Sequence, residues 1–581
     1  MNLAISLDKK TAKLMVGIIT IGLFGALFLL WPHSVIAVGE DMNRPNNKFG
    51  IHIAKPHEED IEKAAELVNS NGGGWGYVTV VMQEDDKDLN KWQGHFNKMR
   101  ELRLIPIVRL ATRGEGDVWR RPSVEDADEW ADFLNALVWP VKNRYVMLFN
   151  EPNHAQEWGG AADPYHYAEV AEAHARALKD RSSDFQIMLA GLDAAAPSQP
   201  PRYMDSGNYL RVVIDEMGAD TYEELVDAHA SHSYPNPGFV GPPNASGKGT
   251  VRSYEYELDL IRDAGVEEEL PVFITETGWD ADAIGRERTA EYFRRVYEEV
   301  WLPDDRIRAV TPFILNYQGE PFLKFSWRKF ESDEFHPQFF AVRDLPKQFG
   351  SPKVDESGSL TYDLPEKLVE DSNYHFLAQL ENTGQGFWDE DHRYRLVLEG
   401  VSENNHLLSD LYKVGPGTKT NVDIYVNTDD PTATKTAKLV LYREDELVAE
   451  GPEWKFQVMA LPSLNATIKF LPKRTTNSED FEVQLFDEKE ELVFSRSGVS
   501  VENNRAVIPS VRNIAFGRTY RMVVLHPGYL PRQTYVTFSD GENNVIFERM
   551  LPFDFDKSGG LTWGDIPALV QDPGKLGRWL P

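Results

Sequence analysis

Two glutamates, each placed where an apolar run turns polar, carry the chemistry on offer in this sequence. Glu151 follows Tyr145–Phe149 in YVMLFNEPN, and Glu276 follows Val272–Thr275 in LPVFITETGWD. A buried strand ending in a carboxyl group is how a parallel barrel presents a catalytic acid. Two such ends supply the carboxylate pair that glycoside hydrolysis uses. One carboxyl must carry a proton, so apolar surroundings and a negative partner are expected to raise its pKa. The other must stay ionised, and a donor such as the Tyr234 hydroxyl would hold it so. Carboxyls about 5–5.5 Å apart lead to retention, and about 6.5–9.5 Å to inversion. There is no Gly-x-Ser-x-Gly elbow for an esterase nucleophile. Nor does any His/Asp/Glu spacing in this region match a catalytic metal site.

The elements that would position this pair alternate strand and helix. Candidate strands are 49–54, 76–82, 104–111, 145–150, 185–191, 226–234, 271–276 and 309–316. Amphipathic segments fall between them at 58–69, 124–137, 165–181, 253–264 and 286–301. This rhythm predicts a (β/α)8 TIM barrel over residues 45–350. The alternative, a doubly wound open sheet, lacks the Gly-rich phosphate turn after its first strand. Gly72-Gly73-Gly74 precedes the second strand and reads as a helix stop. In a barrel the two glutamates end strands four and seven. Arg109, at the end of strand three, is either a site residue or half of a rim ion pair. His229 has the opposite parity to a mouth-facing strand end and reads as core.

At these positions the chain resembles the clan-A retaining glycoside hydrolases, which include the cellulase-like family five and family thirty-nine. The resemblance rests on Asn-Glu-Pro after strand four, His232-Ser233-Tyr234 after strand six and Thr-Glu-Thr-Gly-Trp after strand seven. It covers about half the chain. It implies Glu151 as general acid/base, Glu276 as nucleophile and Asn150 as the group that binds the sugar 2-hydroxyl. His232 and Tyr234 are expected to face the same mouth. Trp119, Trp158 and Trp279, in the loops after strands three, four and seven, are either sugar platforms or loop anchors. The clan usually has a Trp at the end of strand eight; here Asn316-Tyr317 stands there, and Trp327 is expected to fold back in its place. No cofactor is expected for catalysis.

The full chain of 581 residues is too long for one hydrophobic core, so several domains are expected. With 61 basic and 92 acidic residues the formal charge is -31, which argues against a nucleic-acid partner. Cysteine is absent, which excludes disulfides and thiolate metal sites. Residues 1–40 read as a targeting segment: Lys9, Lys10 and Lys13 precede an uncharged run from Leu14 to Trp31. That run is long enough to span a bilayer, with its basic flank inside. Val35-Ile36-Ala37 also offers a signal-peptide cleavage site. The length of the run favours a retained transmembrane anchor, and export to the cell surface or beyond is expected in either case.

Beyond residue 351 the period changes to two. Short alternating runs predict an Ig-like β-sandwich over 351–460 and a second sandwich over 461–550, whose pattern resembles the carboxypeptidase-regulatory-like domains. Residues 551–581 hold a loop with Asp554, Asp556, Ser558, Thr562 and Asp565 at positions one, three, five, nine and twelve, and Gly559 at six. That is EF-hand spacing and predicts a structural calcium site. It also resembles half of a type-I dockerin, which implies a cohesin-like partner. Three functions remain open: a retaining hydrolase of an extracellular polysaccharide, a transglycosidase with the same carboxylates, and a non-catalytic carbohydrate-binding or adhesion protein on a barrel scaffold.

Overall fold

The computed structural model describes residues 47–471 and 473–572. The expected anchor or signal segment, 1–40, lies outside the described residues, as does the end of the C-terminal segment. Among the described residues no helix is long and apolar enough to cross a membrane. The chain forms two compact units that divide between Val354 and Asp355.

The first unit is a barrel of eight parallel strands: β1 Gly50–Ile53, β2 Gly76–Gln83, β3 Leu104–Ala111, β4 Arg144–Leu148, β5 Phe185–Leu189, β6 His229–His232, β7 Val272–Glu276 and β8 Ile307–Val310. β1 to β5 pair in sequence order, and β6 to β8 do the same. Single parallel bridges, Met188 with Ala228 and Phe49 with Val310, close the ring at its two seams. Every expected strand is present, and helices cover the outside. Five helices, Leu89–Glu101, Ser206–Met217, Ala219–Leu225, Ala281–Ile284 and Pro337–Arg343, lie outside the expected segments.

Strand parity sorts the side chains. Inward positions below the mouth are filled by Tyr77, Ile105, Ile107, Tyr145, Met147, Met188, Ala230, Phe273 and Ala309. Outward positions such as Ile51, Ile53, Val80, Val108, Val146 and Ile274 join the larger core under the helices. Moving two residues up the inward parity from this plug reaches Arg109 on β3 and His232 on β6. On β1 the residue between outward-facing Ile51 and Ile53 is His52. An apolar plug with polar side chains in the layer above it is how a small barrel supports a site at its C-terminal face.

The second unit is all-β, with two hydrophobic cores. One pair of sheets runs from Gly358 to Met459 around Leu380, Trp388, Val422, Ile424, Leu439 and Trp454. The other runs from Leu464 to Asp554 around Phe481, Leu485, Ile508, Met522 and Phe538. The final described helix, Asp565–Gln571, follows the Asp-rich loop.

Candidate active site

Glu151 and Glu276 reach the barrel mouth by different local devices. After β4 the chain leaves extended geometry: Phe149 has φ 74° and Glu151 φ 32°. For residues with a Cβ this left-handed region costs free energy and persists only where the surroundings impose it. Here Phe149 is wedged against the Trp158 and His174 rings, at 5.6 and 5.2 Å, and the Glu151 N–H donates to the Gly191 carbonyl at 3.1 Å. On β7 the inward parity of Phe273 would leave Glu276 facing outward. The pairing of β6 and β7 slips between Ser231 and His232, so that His232 aligns with Glu276. That bulge re-aims the carboxylate into the mouth.

The carboxylates then converge. One oxygen of each and a ring nitrogen of His232 all lie within 4.8 Å of one another. His232 Nδ1 is 2.8 Å from Glu151 Oε1 and 3.9 Å from Glu276 Oε2. Tyr234 donates its hydroxyl to Glu276 Oε2 at 3.0 Å. Arg109 Nη1 donates to Glu276 Oε1 at 3.0 Å and to Asn150 Oδ1 at 2.5 Å. His52 Nε2 stands 3.7 Å from Glu276 Oε1. Glu151, His232 and Glu276 could by distance share a metal ion, but each Glu276 oxygen already accepts from a protein donor, Arg109 or Tyr234.

The electrostatics separate the partners. Burial opposes a charge on Glu276, yet His232 and Arg109, with the Tyr234 hydroxyl, hold its carboxyl below the ordinary carboxylate range. Burial also opposes a charge on His232, and the pull of Glu276 and Glu151 outweighs it, raising the imidazole above its usual value. His52 goes the other way: burial, with Arg109 and His232 nearby, lowers it to about 3, so it is neutral. Burial and the Glu276 charge raise Tyr234 well above the phenol range, which keeps it a donor.

The structure brings together Glu151, Glu276, Asn150, His232, Tyr234 and Arg109. It does not bring the expected tryptophans. Trp158 is fully buried against Phe149, His166 and Tyr167; it braces the turn that carries Glu151 and has no face open to a sugar. Trp279 is buried between Tyr292 and Phe293 and donates its N–H to the Gly241 carbonyl. Trp327 does not fold back into the mouth; it is buried against Phe293 in the helix layer. Asn316 is spent on Asp60, at 3.0 Å, and receives a bond from Gln318. Trp119 is half-buried, its backbone bridging to Gln156 and Gly159 in the loop after β4. His229, as its parity requires, points outward to Glu257 at 2.8 Å.

Three groups at the mouth were missed. Phe313, half-buried above β8, sets its ring against His52 at 5.2 Å and so stands where a tryptophan was expected. His52 itself was legible in principle, being one inward position on β1. Glu157, in the turn after Asn153, accepts from Asn150 Nδ2 at 3.3 Å. Burial and the charge of Glu151 push its carboxyl up to about 7.

In the second unit, one oxygen each of Asp554, Asp556 and Asp565 lie within 4.8 Å of one another. Thr562 Oγ1 donates to Asp556 at 2.8 Å, while Ser558 Oγ donates to the Gly560 carbonyl. Asp565 accepts from the Phe555, Asp556 and Thr562 N–H groups. Burial and the charges of Asp565 and Asp556 raise Asp554.

No protein-family model matches the chain, and no curated protein does. Among solved structures it is similar to an endo-β-1,4-glucanase from Xanthomonas axonopodis pv. citri, at 14% identity over 51% of this chain and 98% of that one, with TM-score 0.34. It is similar to a β-mannanase from Thermomonospora fusca, at 13% identity over 53% and 96% of the two chains, TM-score 0.35. A family 51 α-L-arabinofuranosidase from Bifidobacterium longum aligns at 12% identity over 84% and 97%, TM-score 0.37. The geometry of the mouth, and not these likenesses, carries the reading that follows.

Proposed function

We propose that the barrel is a retaining glycoside hydrolase acting on an extracellular polysaccharide, with Glu276 as nucleophile and Glu151 as general acid/base. The observation that carries this reading is the pair of carboxylates at the ends of β4 and β7, with oxygens within 4.8 Å of one another. That approach suits the retaining separation of about 5–5.5 Å and leaves little room for the water of an inverting enzyme. Glu276 is buried and held ionised by His232, Arg109 and Tyr234, while Glu151 is only half-buried and shares a hydrogen bond with His232 at 2.8 Å.

In the first step Glu276 attacks the anomeric carbon as Glu151 gives its proton to the departing oxygen. In the second, Glu151 takes a proton from water, whose oxygen displaces Glu276 from the sugar. Arg109 and Tyr234 keep the Glu276 oxygens oriented, and the half-buried Phe313, beside His52, offers an aromatic surface. In the second unit the Asp554–Asp565 loop would hold a structural calcium ion through Asp554, Asp556 and Asp565. Its role is stability, apart from the chemistry.

The test is product stereochemistry on a panel of β-linked glycans and aryl glycosides, followed by NMR at early times. Retained anomeric configuration is expected. First-formed product of inverted configuration would overturn the mechanism, and binding without cleavage across the panel would favour a carbohydrate-binding scaffold.

A further inference from the structure

We propose that Glu157, in the turn after the acid/base, is a positioning residue: its carboxyl group pins the Asn150 amide in one orientation, and through it links the acid's loop to Glu276.

A guanidinium only donates, so Arg109 fixes Asn150 Oδ1 on its own side, at 2.5 Å. The Nδ2 end then needs an acceptor, and Glu157 Oε2 is the one it meets, at 3.3 Å. Arg109 also reaches Glu276, at 3.0 Å. The connected line is Glu157, Asn150, Arg109, Glu276. An amide held at both ends has one remaining Nδ2 hydrogen, and that hydrogen points in one direction. On the glycosidase reading, on which this inference rests, it points at the sugar hydroxyl next to the anomeric carbon. Freeing either end lets the amide turn, and turning replaces that donor with an acceptor.

Glu157 is an unusual anchor because its charge changes near neutrality. Glu151 and His154 face it from its own loop, Arg109 from β3 and Glu276 from β7. Burial and the Glu151 charge raise it to about 7 against the opposing effect of Arg109 and the Asn150 bond. A carboxylate accepts a hydrogen bond more strongly than a carboxyl group. The grip on Asn150 therefore tightens as pH rises through that value.

The experiment follows the Asn150 side-chain amide by NMR in the full chain labelled with 15N-asparagine, the signal being assigned by its loss in Asn150→Asp. In the parent protein the signal should move with a midpoint near pH 7, as Glu157 ionises. In Glu157→Gln, which keeps an acceptor but cannot ionise, the movement should vanish. Glu157→Ala should lower kcat by ~10-fold or more with KM little changed, as loss of a supporting partner does, and Glu157→Gln should recover most of that loss without the inflection near pH 7. A signal that does not move, or that moves equally in Glu157→Gln, overturns the inference whatever the activity. So does an effect of Glu157→Ala confined to KM. If the signal behaves as expected and neither parent nor variants cleave any glycan, the glycosidase reading falls and the anchoring stands.

Discussion

In two places among the described residues, three ligand-type side chains come within 4.8 Å of one another: Glu151, His232 and Glu276 in the barrel, and Asp554, Asp556 and Asp565 in the second unit. They differ in what balances the negative charge. Around the barrel pair stand a guanidinium, an imidazole and a phenol, all supplied by the fold. Around the three aspartates are backbone N–H groups and the Thr562 hydroxyl, and no paired cation among the described residues. The closeness of carboxylates therefore says little by itself. The barrel site is balanced internally, in keeping with the proposed sugar substrate, whereas the proposed calcium ion would supply the counter-charge of the loop.

The sharpest way to break this contrast is to remove the internal cation. Arg109→Ala should lower kcat/KM by ~10²-fold, the scale for losing one preorganised donor at a reacting charge. It should also move the acid limb of the pH profile upward. The sign follows from the folded-state value: Glu276 is held below the usual 4.5 in part by Arg109, so without Arg109 it takes up a proton at a higher pH. An acid limb that stays in place would show that Arg109 does not set the charge of Glu276.

A smaller effect is expected from crowding His232. A side chain on Gly191 would collide with the His232 ring. Gly191→Ala should push the imidazole from Glu151, lower kcat by ~10-fold and cost about 1–3 kcal/mol of stability, as overpacking does. Unchanged pH dependence in that variant would argue that His232 is structural.

The smallest effect belongs to the loop. Calcium should raise the midpoint of the transition that unfolds the second unit, by up to about 2.7 kcal/mol of linkage at a hundredfold excess over Kd. The double variant Asp554→Ala, Asp565→Ala should not respond. A parent protein equally indifferent to calcium would make the loop an acidic turn.

Period and parity made the barrel legible. Each strand reads as a short apolar run, and Glu151, Asn150, Glu276 and Arg109 sit at run ends. The same parity pointed to His52, which was overlooked because no motif surrounds it. The tryptophans failed for a different reason. A Trp in a strand-to-helix loop has the same sequence signature whether it braces the loop or faces a ligand. Trp158 and Trp279 are decided by contacts with Phe149, Tyr167, Tyr292 and Phe293, all distant in sequence. Glu157 was invisible because its bond to Asn150 depends on the left-handed turn at Phe149 and Glu151, which bulky residues rarely adopt. In the second unit the alternating runs located both sheet pairs, since burial on one face imposes period two.

The measurement that tests the central claim most directly is the configuration of the glycosyl azide formed by two alanine variants on an aryl glycoside with a good leaving group. In Glu151→Ala the leaving group needs little protonation, so the glycosyl-enzyme still forms but its hydrolysis stalls without a general base. Azide needs no base; it should restore turnover and yield a product of retained configuration. In Glu276→Ala the nucleophile's face is open, and any azide product should be inverted. Opposite configurations from the two variants would establish the assignment of roles. The same configuration from both would contradict it.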